Sequence, residues 1–213
     1  MKAKILVTAG NTWSPIDDVR VITNIFSGET GLRIAKELAT RGFKVKLVLA
    51  DCRISLKKFK HKNLTIVRAK GYKEFYKVVK REIKTKNYKA IVHAAAISDF
   101  QLTKRKTGKI KSGKKLILEL SPTKKIVDRI KKWAPKTFLI KFKLESNKSR
   151  KQLMKIALKS KKQSKSDLVV ANTLPFLKGH QFILIKNKNQ SINIKNKKNL
   201  ARLLTDIFEG ELI

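Results

Sequence analysis

Residues 4–41, KILVTAGNTWSPIDDVRVITNIFSGETGLRIAKELATR, decide how the rest of the chain is read. Lys4–Ala9 is an apolar run of strand length. Leu32, Ile34, Ala35, Leu38 and Ala39 then recur at the spacing of a helix that buries one face. A strand followed by a helix opens an α/β unit, where the connection is usually about 2 to 6 residues. Here it is roughly four times longer and closes on Ser27-Gly28-x-x-Gly31 at the helix start. Glycines allow close backbone approach, and free amides at a helix N-terminus can hold an anion. The same glycines also serve as turn punctuation. The separation of Gly10 from Gly28 excludes G-x-G-x-x-G and the P-loop, each of which lies on one tight turn.

The pattern repeats downstream. Strands are expected at Lys4–Ala9, Lys44–Leu49, Leu64–Ala69, Ala90–Ala95, Thr137–Phe142 and Asp167–Ala171, with helices at Glu29–Arg41, Lys73–Lys84, Lys124–Trp133 and Arg150–Lys161. This alternation predicts an α/β fold: a three-layer, doubly wound, mostly parallel, Rossmann-like sheet. The continuously apolar strands suit a sheet covered on both faces. Two segments depart from the pattern. Residues 100–115 are polar, lysine-rich and punctuated by Gly108 and Gly113, and they lead into an alternating run at Leu116–Leu120. Phe182–Lys186 and Ser191–Ile194 predict a C-terminal β-hairpin, and Lys198–Phe208 a last amphipathic helix. With no repeat or linker, a single domain over 1–213 is the economical expectation.

The formal net charge is +37, from 52 Lys and Arg against 15 Asp and Glu, and such a field attracts polyanions. The excess is mostly Lys, whereas Arg is the usual residue for base edges and bidentate phosphate grips. The lysines are spread along the chain, and aromatics are not interleaved with them as a stacking platform requires. The reading therefore sets nucleic acid aside as a partner and keeps small anionic substrates, with a basic nucleic-acid-binding protein as the competing class. The chain has no run of the length that spans a membrane, and Met1-Lys2-Ala3-Lys4 leads straight into a strand. A cytoplasmic protein without a membrane partner is expected. The single cysteine, Cys52, excludes an internal disulfide and a thiolate metal set.

Ligands of a doubly wound sheet bind beyond the carboxyl ends of its strands. At Ile91–Asp99 three alanines close an apolar strand and a carboxylate follows. Ala94–Ala96 can seat a flat ligand or pack a helix; Asp99 can accept from a ligand or be a plain loop residue. His93 reads as a core histidine. Asn24 is an uncharged hydrogen-bonding group on the opening loop, or a turn residue. Lys109, flanked by Gly108, can fold over a site, although composition alone cannot single it out among the lysines. Phe142 and Asn172 end strands, where they can wall and read a base or simply pack. Tyr76-x-x-x-Lys80 has the spacing of the short-chain dehydrogenase couple, but it precedes the alanine strand and no glycine-rich dinucleotide turn follows the first strand.

Taken in order, Val7-Thr8-Ala9-Gly10 with Pro15, Val19-Arg20 through Asn24-x-x-Ser27-Gly28-x-x-Gly31, Ala94-Ala95-Ala96-x-Ser98-Asp99, Lys109-Ile110, Trp133-Ala134-Pro135-Lys136, Phe142-Lys143-Leu144-Glu145 and Val170-Ala171-Asn172 resemble the phosphopantothenoylcysteine synthetase family, in its stand-alone form. The resemblance implies a homodimeric ligase of coenzyme A synthesis. It would join 4′-phosphopantothenate to L-cysteine through an acyl-nucleotidylate, using CTP or ATP with Mg2+. It assigns Gly10, Ser27, Gly28, Gly31, Phe142 and Asn172 to the nucleotide, and Asn24, Ala95, Ala96 and Asp99 to phosphopantothenate. It makes Asn24 and the mobile-loop Lys109 catalytic, and has Arg20 reach the substrate phosphate of the neighbouring subunit. It leaves the metal ligands unknown. Phe26 stands where many members have a small hydroxyl residue. Glu29 replaces a commonly basic one, which suits a triphosphate only if it faces solvent or a magnesium ion.

Overall fold

The computed structural model describes residues 2–179 and 181–212. In chain order the elements are β1 (Lys4–Ala9), β2 (Ser14–Pro15), β3 (Val21–Ile22), α1 (Glu29–Thr40), β4 (Lys44–Leu49), β5 (Leu64–Arg68), α2 (Tyr72–Thr85), β6 (Ala90–His93), β7 (Phe100–Leu102), β8 (Leu120–Pro122), α3 (Val127–Trp133), β9 (Phe138–Ser146), α4 (Arg150–Ser164), β10 (Leu168–Leu174), β11 (Phe182–Ile185), β12 (Ser191–Ile194) and α5 (Lys197–Leu212). Eight strands form one sheet in the order β12-β11-β10-β9-β6-β1-β4-β5. From β5 to β10 the pairings are parallel, and the β11–β12 hairpin adds antiparallel strands at one edge. The expected fold class, hairpin and closing helix are all present.

The alternation of side chains builds the layers. Ile5, Val7 and Ala9 of β1 join one buried cluster with α1 and α5, whereas Leu6 joins another with α2 and α3. On the second face α4 packs Leu153 and Ala157 against Val169, Ala171, Ile183 and Ile185. One strand thus feeds two cores because successive side chains point to opposite faces.

The chain winds outward through β4 and β5 on one side of β1, then returns to β6 on the other side and continues to β9 and β10. Strand order therefore reverses between β1 and β6, and a crevice opens at the carboxyl ends of strands at such a point.

Several boundaries differ from expectation. The strand expected to reach Ala95 ends at His93: Ala94 N–H still donates to the Thr8 carbonyl, but Ala95 N–H turns to Thr8 Oγ1 before Ala96 forms an isolated parallel bridge with Asn11. Conversely β9 and β10 run past Phe142 and Ala171 to Ser146 and Leu174, paired only with each other there. Phe142 and Asn172 are therefore mid-strand residues. Helix α3 begins at Val127 rather than Lys124, whose carbonyl accepts from the Tyr72 hydroxyl. Of the alternating run Leu116–Leu120, only Leu120 belongs to a strand, opposite Leu102 in the β7–β8 arm.

His93 is a buried histidine, as expected. Burial, reinforced by the Lys141 ammonium on the neighbouring strand, pushes its pKa down from 6.5 to about 4. The folded state therefore binds fewer protons than the unfolded chain between those values, and stability falls as pH drops through the window. Between pH 6.5 and 4 the unfolding free energy should fall by about 3 kcal/mol more than in His93→Gln, measured by urea titration at each pH.

Candidate active site

A crevice of about 420 Å³ opens at the switch point. One wall is the junction of β1 and α1. Gly10 and Gly28 have φ of 82° and 80°, and a Cβ on Gly28 would lie 3.0 Å from the Gly10 Cα. A Cβ on Gly31 would stand 2.6 Å from the Ala9 side chain. These positions need glycine so that the helix start can lie directly on the strand end. Gly28 caps α1 without a side-chain hydrogen bond, and the first amides of a helix have no intrahelical acceptors. That end of the crevice is suited to phosphate.

The opposite wall is the shelf Ala94-Ala95-Ala96. Thr8 Oγ1 shares a hydrogen bond of 3.0 Å with His93 Nδ1, its direction set by the imidazole tautomer, and accepts the Ala95 amide at 3.3 Å. Asn24 lays its amide on the Ala96 carbonyl at 3.1 Å, and Thr12 N–H reaches the same oxygen at 3.2 Å. The loop and the shelf are thus one hydrogen-bonded unit. The overhanging pair β9–β10 contributes Phe142, Lys143, Leu144 and Asn172 as a third wall.

The crevice gathers Gly10, Asn24, Ser27, Gly28, Gly31, Ala95, Ala96, Asp99, Phe142 and Asn172. Phe26 lines it too, its carbonyl accepting from the Asn11 amide. Arg20 and Lys109 do not line it. They lie together on the outer arm, where the buried Asp17 carboxylate accepts the amides of Val19 at 2.9 Å, Arg20 at 2.7 Å and Ile110 at 3.1 Å. The Ile110 and Val19 amides lower the Asp17 pKa. The Arg20 guanidinium in turn donates to the Ile110 carbonyl at 3.1 Å, and Asp18 accepts the Gly108 amide at 2.9 Å. Lys109 is consequently pinned on both sides while its own side chain is exposed.

Glu29 departs from expectation. Its carboxylate is held by Lys197 at 2.6 Å and Arg33 at 2.7 Å, which keep its pKa below the usual value. Lys197 lies far from this loop in sequence, and no signal separated it from the other lysines. Asn11 was also missed, although its place beside Gly10 pointed to it. It is buried and bridged to Asp51. Among the described residues its Oδ1 is the buried side-chain polar atom without a partner, which ordinarily costs about 1–3 kcal/mol. A second groove, of about 840 Å³, lies at the other end of β9 and β10 around Phe138, Leu168 and Ile192 and has no glycine cradle.

Fold and site together define a Rossmann-like α/β domain with a glycine-lined crevice at its switch point. Residues 1–210 match the family described as the DNA/pantothenate metabolism flavoprotein C-terminal domain, and the chain belongs to that family, the phosphopantothenoylcysteine synthetase family that its motifs resemble. It is 37% identical over 212 residues to the coenzyme A biosynthesis bifunctional protein CoaBC of Thermococcus kodakarensis, covering 98% of this chain and 51% of that one. The chain thus spans about half the length of this curated relative. The DNA/pantothenate metabolism flavoprotein of Streptococcus pneumoniae superposes with a TM-score of 0.86 at 29% identity, covering 98% of this chain and 99% of that one. A Cab2 variant in complex with phosphopantothenate-cysteine shares the fold, with a TM-score of 0.75 at 18% identity over 98% of this chain and 88% of the other. Among the described residues no helix is long and apolar enough to cross a membrane.

Gly31→Ala should destabilise the protein by about 1–3 kcal/mol through overpacking against Ala9. A lower urea midpoint at unchanged slope is the expected reading.

Proposed function

We propose that this chain is a phosphopantothenate–cysteine ligase of coenzyme A biosynthesis, driven by CTP or ATP. A carboxylate oxygen of 4′-phosphopantothenate attacks the α-phosphorus of the nucleotide. The bond to the β-phosphate breaks, and pyrophosphate leaves. The cysteine amine then attacks the acyl carbon of the acyl-nucleotidylate; a C–N bond forms, the nucleoside monophosphate departs, and the amine proton passes to solvent. No covalent enzyme intermediate is needed, so catalysis rests on positioning and charge stabilisation.

The observation that carries the reading is the Asn24–Ala96 hydrogen bond, because it ties the loop that ends on the glycine cradle to the proposed substrate shelf. In this proposal Gly10, Ser27, Gly28 and Gly31 receive the phosphates. Phe142 and Asn172 border the base. Ala95, Ala96 and Asp99 hold phosphopantothenate, and Asn24 stabilises the acyl-nucleotidylate. The family relatives named for coenzyme A biosynthesis support it, as does the fold shared with a protein described with phosphopantothenate-cysteine.

A homodimer belongs to the proposal. Val19, Ile25, Phe100, Leu116, Ile117 and Leu120 are exposed apolar side chains on the opening loop and the arm. Arg20 and Lys109 lie on this same outer surface, from which Arg20 would serve a neighbouring subunit and Lys109 would meet the developing charge. Magnesium belongs to the proposal as the companion of the triphosphate, held mainly by phosphate oxygens and water. Among the described residues no three His, Cys, Asp or Glu groups converge, and Glu29 is already engaged by two cations.

Pyrophosphate release, measured with CTP and ATP side by side, should require phosphopantothenate. Release independent of it, or none with either nucleotide, would overturn the proposal. In Asn24→Asp the acyl-nucleotidylate should accumulate while cysteine turnover falls; normal turnover would remove Asn24 from the mechanism.

A further inference from the structure

Helices α1 and α5 lie side by side and parallel, and ion pairs join them at both ends. At the N-terminal end Lys197, the first residue of α5, meets Glu29, the first residue of α1, at 2.6 Å. At the C-terminal end Arg41 meets Asp206 at 2.9 Å and also pairs with Glu209, which Lys2 joins at 2.6 Å. Each end of α5 carries charge of the wrong sign for its own dipole: a lysine at the start and carboxylates near the finish.

The two ends are not compensated alike. At the C-terminal end two carboxylates, Asp206 and Glu209, face two cations, Arg41 and Lys2. At the N-terminal end the single carboxylate of Glu29 faces both Lys197 and Arg33. One positive charge is left over there. It lies on the crevice wall, since Lys197 lines the cavity with Ser27, Gly28, Glu29 and Thr30. Its ammonium has three donors, and Glu29 is its one side-chain partner among the described residues. Apart from its pair with Glu29, a half-exposed lysine at that position is disfavoured, because it opposes the dipole of α5 and adds to an already large positive field. An anion in the crevice reverses both effects.

Resting on the nucleotide reading above, we propose that Lys197 binds the phosphate chain of the nucleoside triphosphate, reaching over the glycine cradle from the start of α5. Glu29 restrains the lysine in the empty site and gives it up in part to the phosphates. The wall that receives the phosphates is therefore built from both ends of the sequence: the glycine-lined start of α1 and the first side chain of α5.

Affinity for CTP and ATP, measured by calorimetry on the full chain and on Lys197→Met, Lys197→Arg and Glu29→Gln, tests this. Lys197→Met loses one ion pair, whereas Glu29→Gln loses two and a favourable carboxylate in the first turn of α1, so the thermal midpoint should fall further in Glu29→Gln. Binding should separate them. Lys197→Met should weaken triphosphate affinity about tenfold, the scale of a lost charge-assisted hydrogen bond, and Lys197→Arg should recover most of it. Glu29→Gln, which keeps the cation and removes a carboxylate, should bind at least as tightly as the unaltered protein. Unchanged affinity in Lys197→Met, or equal weakening in it and Glu29→Gln, would overturn the assignment and reduce the pair to a helix strap. If the unaltered protein bound neither triphosphate, the ligase reading would fall first and this one with it.

Discussion

Gly31 lies so close to β1 that a methyl group on it would stand 2.6 Å from the Ala9 side chain, and Gly28 rests on Gly10 in a left-handed backbone. This contact between the first strand and the first helix governs the rest of the site. It brings the start of α1 down onto the sheet beside the crevice, where the Glu29 amide donates to Ser27 Oγ at 3.3 Å. The 17 residues between Gly10 and Gly28 must therefore run away from this contact and back to it. That excursion explains the long loop. It runs out to the Asp17–Asp18 turn and returns over the alanine shelf, where Asn24 docks on the Ala96 carbonyl.

Hydrogen bonds rather than apolar packing hold the two halves of the crevice together. Thr8 contacts His93 and Ala95, Thr12 reaches Ala96 and Ser98, and Ser98 returns a bond to the Thr12 carbonyl at 3.0 Å. Such a network keeps its geometry only while every member is in the right protonation state. The low pKa of His93 matters for that reason: it remains neutral and can accept from Thr8. The arm is organised on the same principle, with Asp17 collecting three amides and so coupling Arg20 to the segment that carries Lys109.

Much of the architecture was legible because burial writes a period into the sequence. Lys4–Ala9 and Lys44–Leu49 are strands within the expected bounds, and α4 starts at Arg150 after its Ser149 cap. The errors fall where pairing takes over from burial. Lys143 and Glu145 gave no strand signal, yet β9 continues through them because β10 runs alongside, Lys143 opposite Ala171 and Glu145 opposite Thr173. The alanine run looked like a strand end but is interrupted at Ala95, whose amide turns to the Thr8 side chain before Ala96 bridges Asn11. Of the site, the motif residues near glycines and strand ends were visible. Lys197 was not, because the lysines are alike in composition and only packing selects one.

The sequence by itself determined the α/β class, the family and the identity of most residues that gather in the crevice, because helix and strand periods, glycine positions and motif order are local or ordered along the chain. The tertiary structure alone decided how charge is distributed around them. It turned Glu29 toward Lys197 and Arg33, placed Arg20 with Lys109 on the arm, and left Asn11 Oδ1 at the crevice wall without a partner among the described residues. Electrostatic partnership depends on distance in space, and a chain of this charge offers each carboxylate far more cations than it can use.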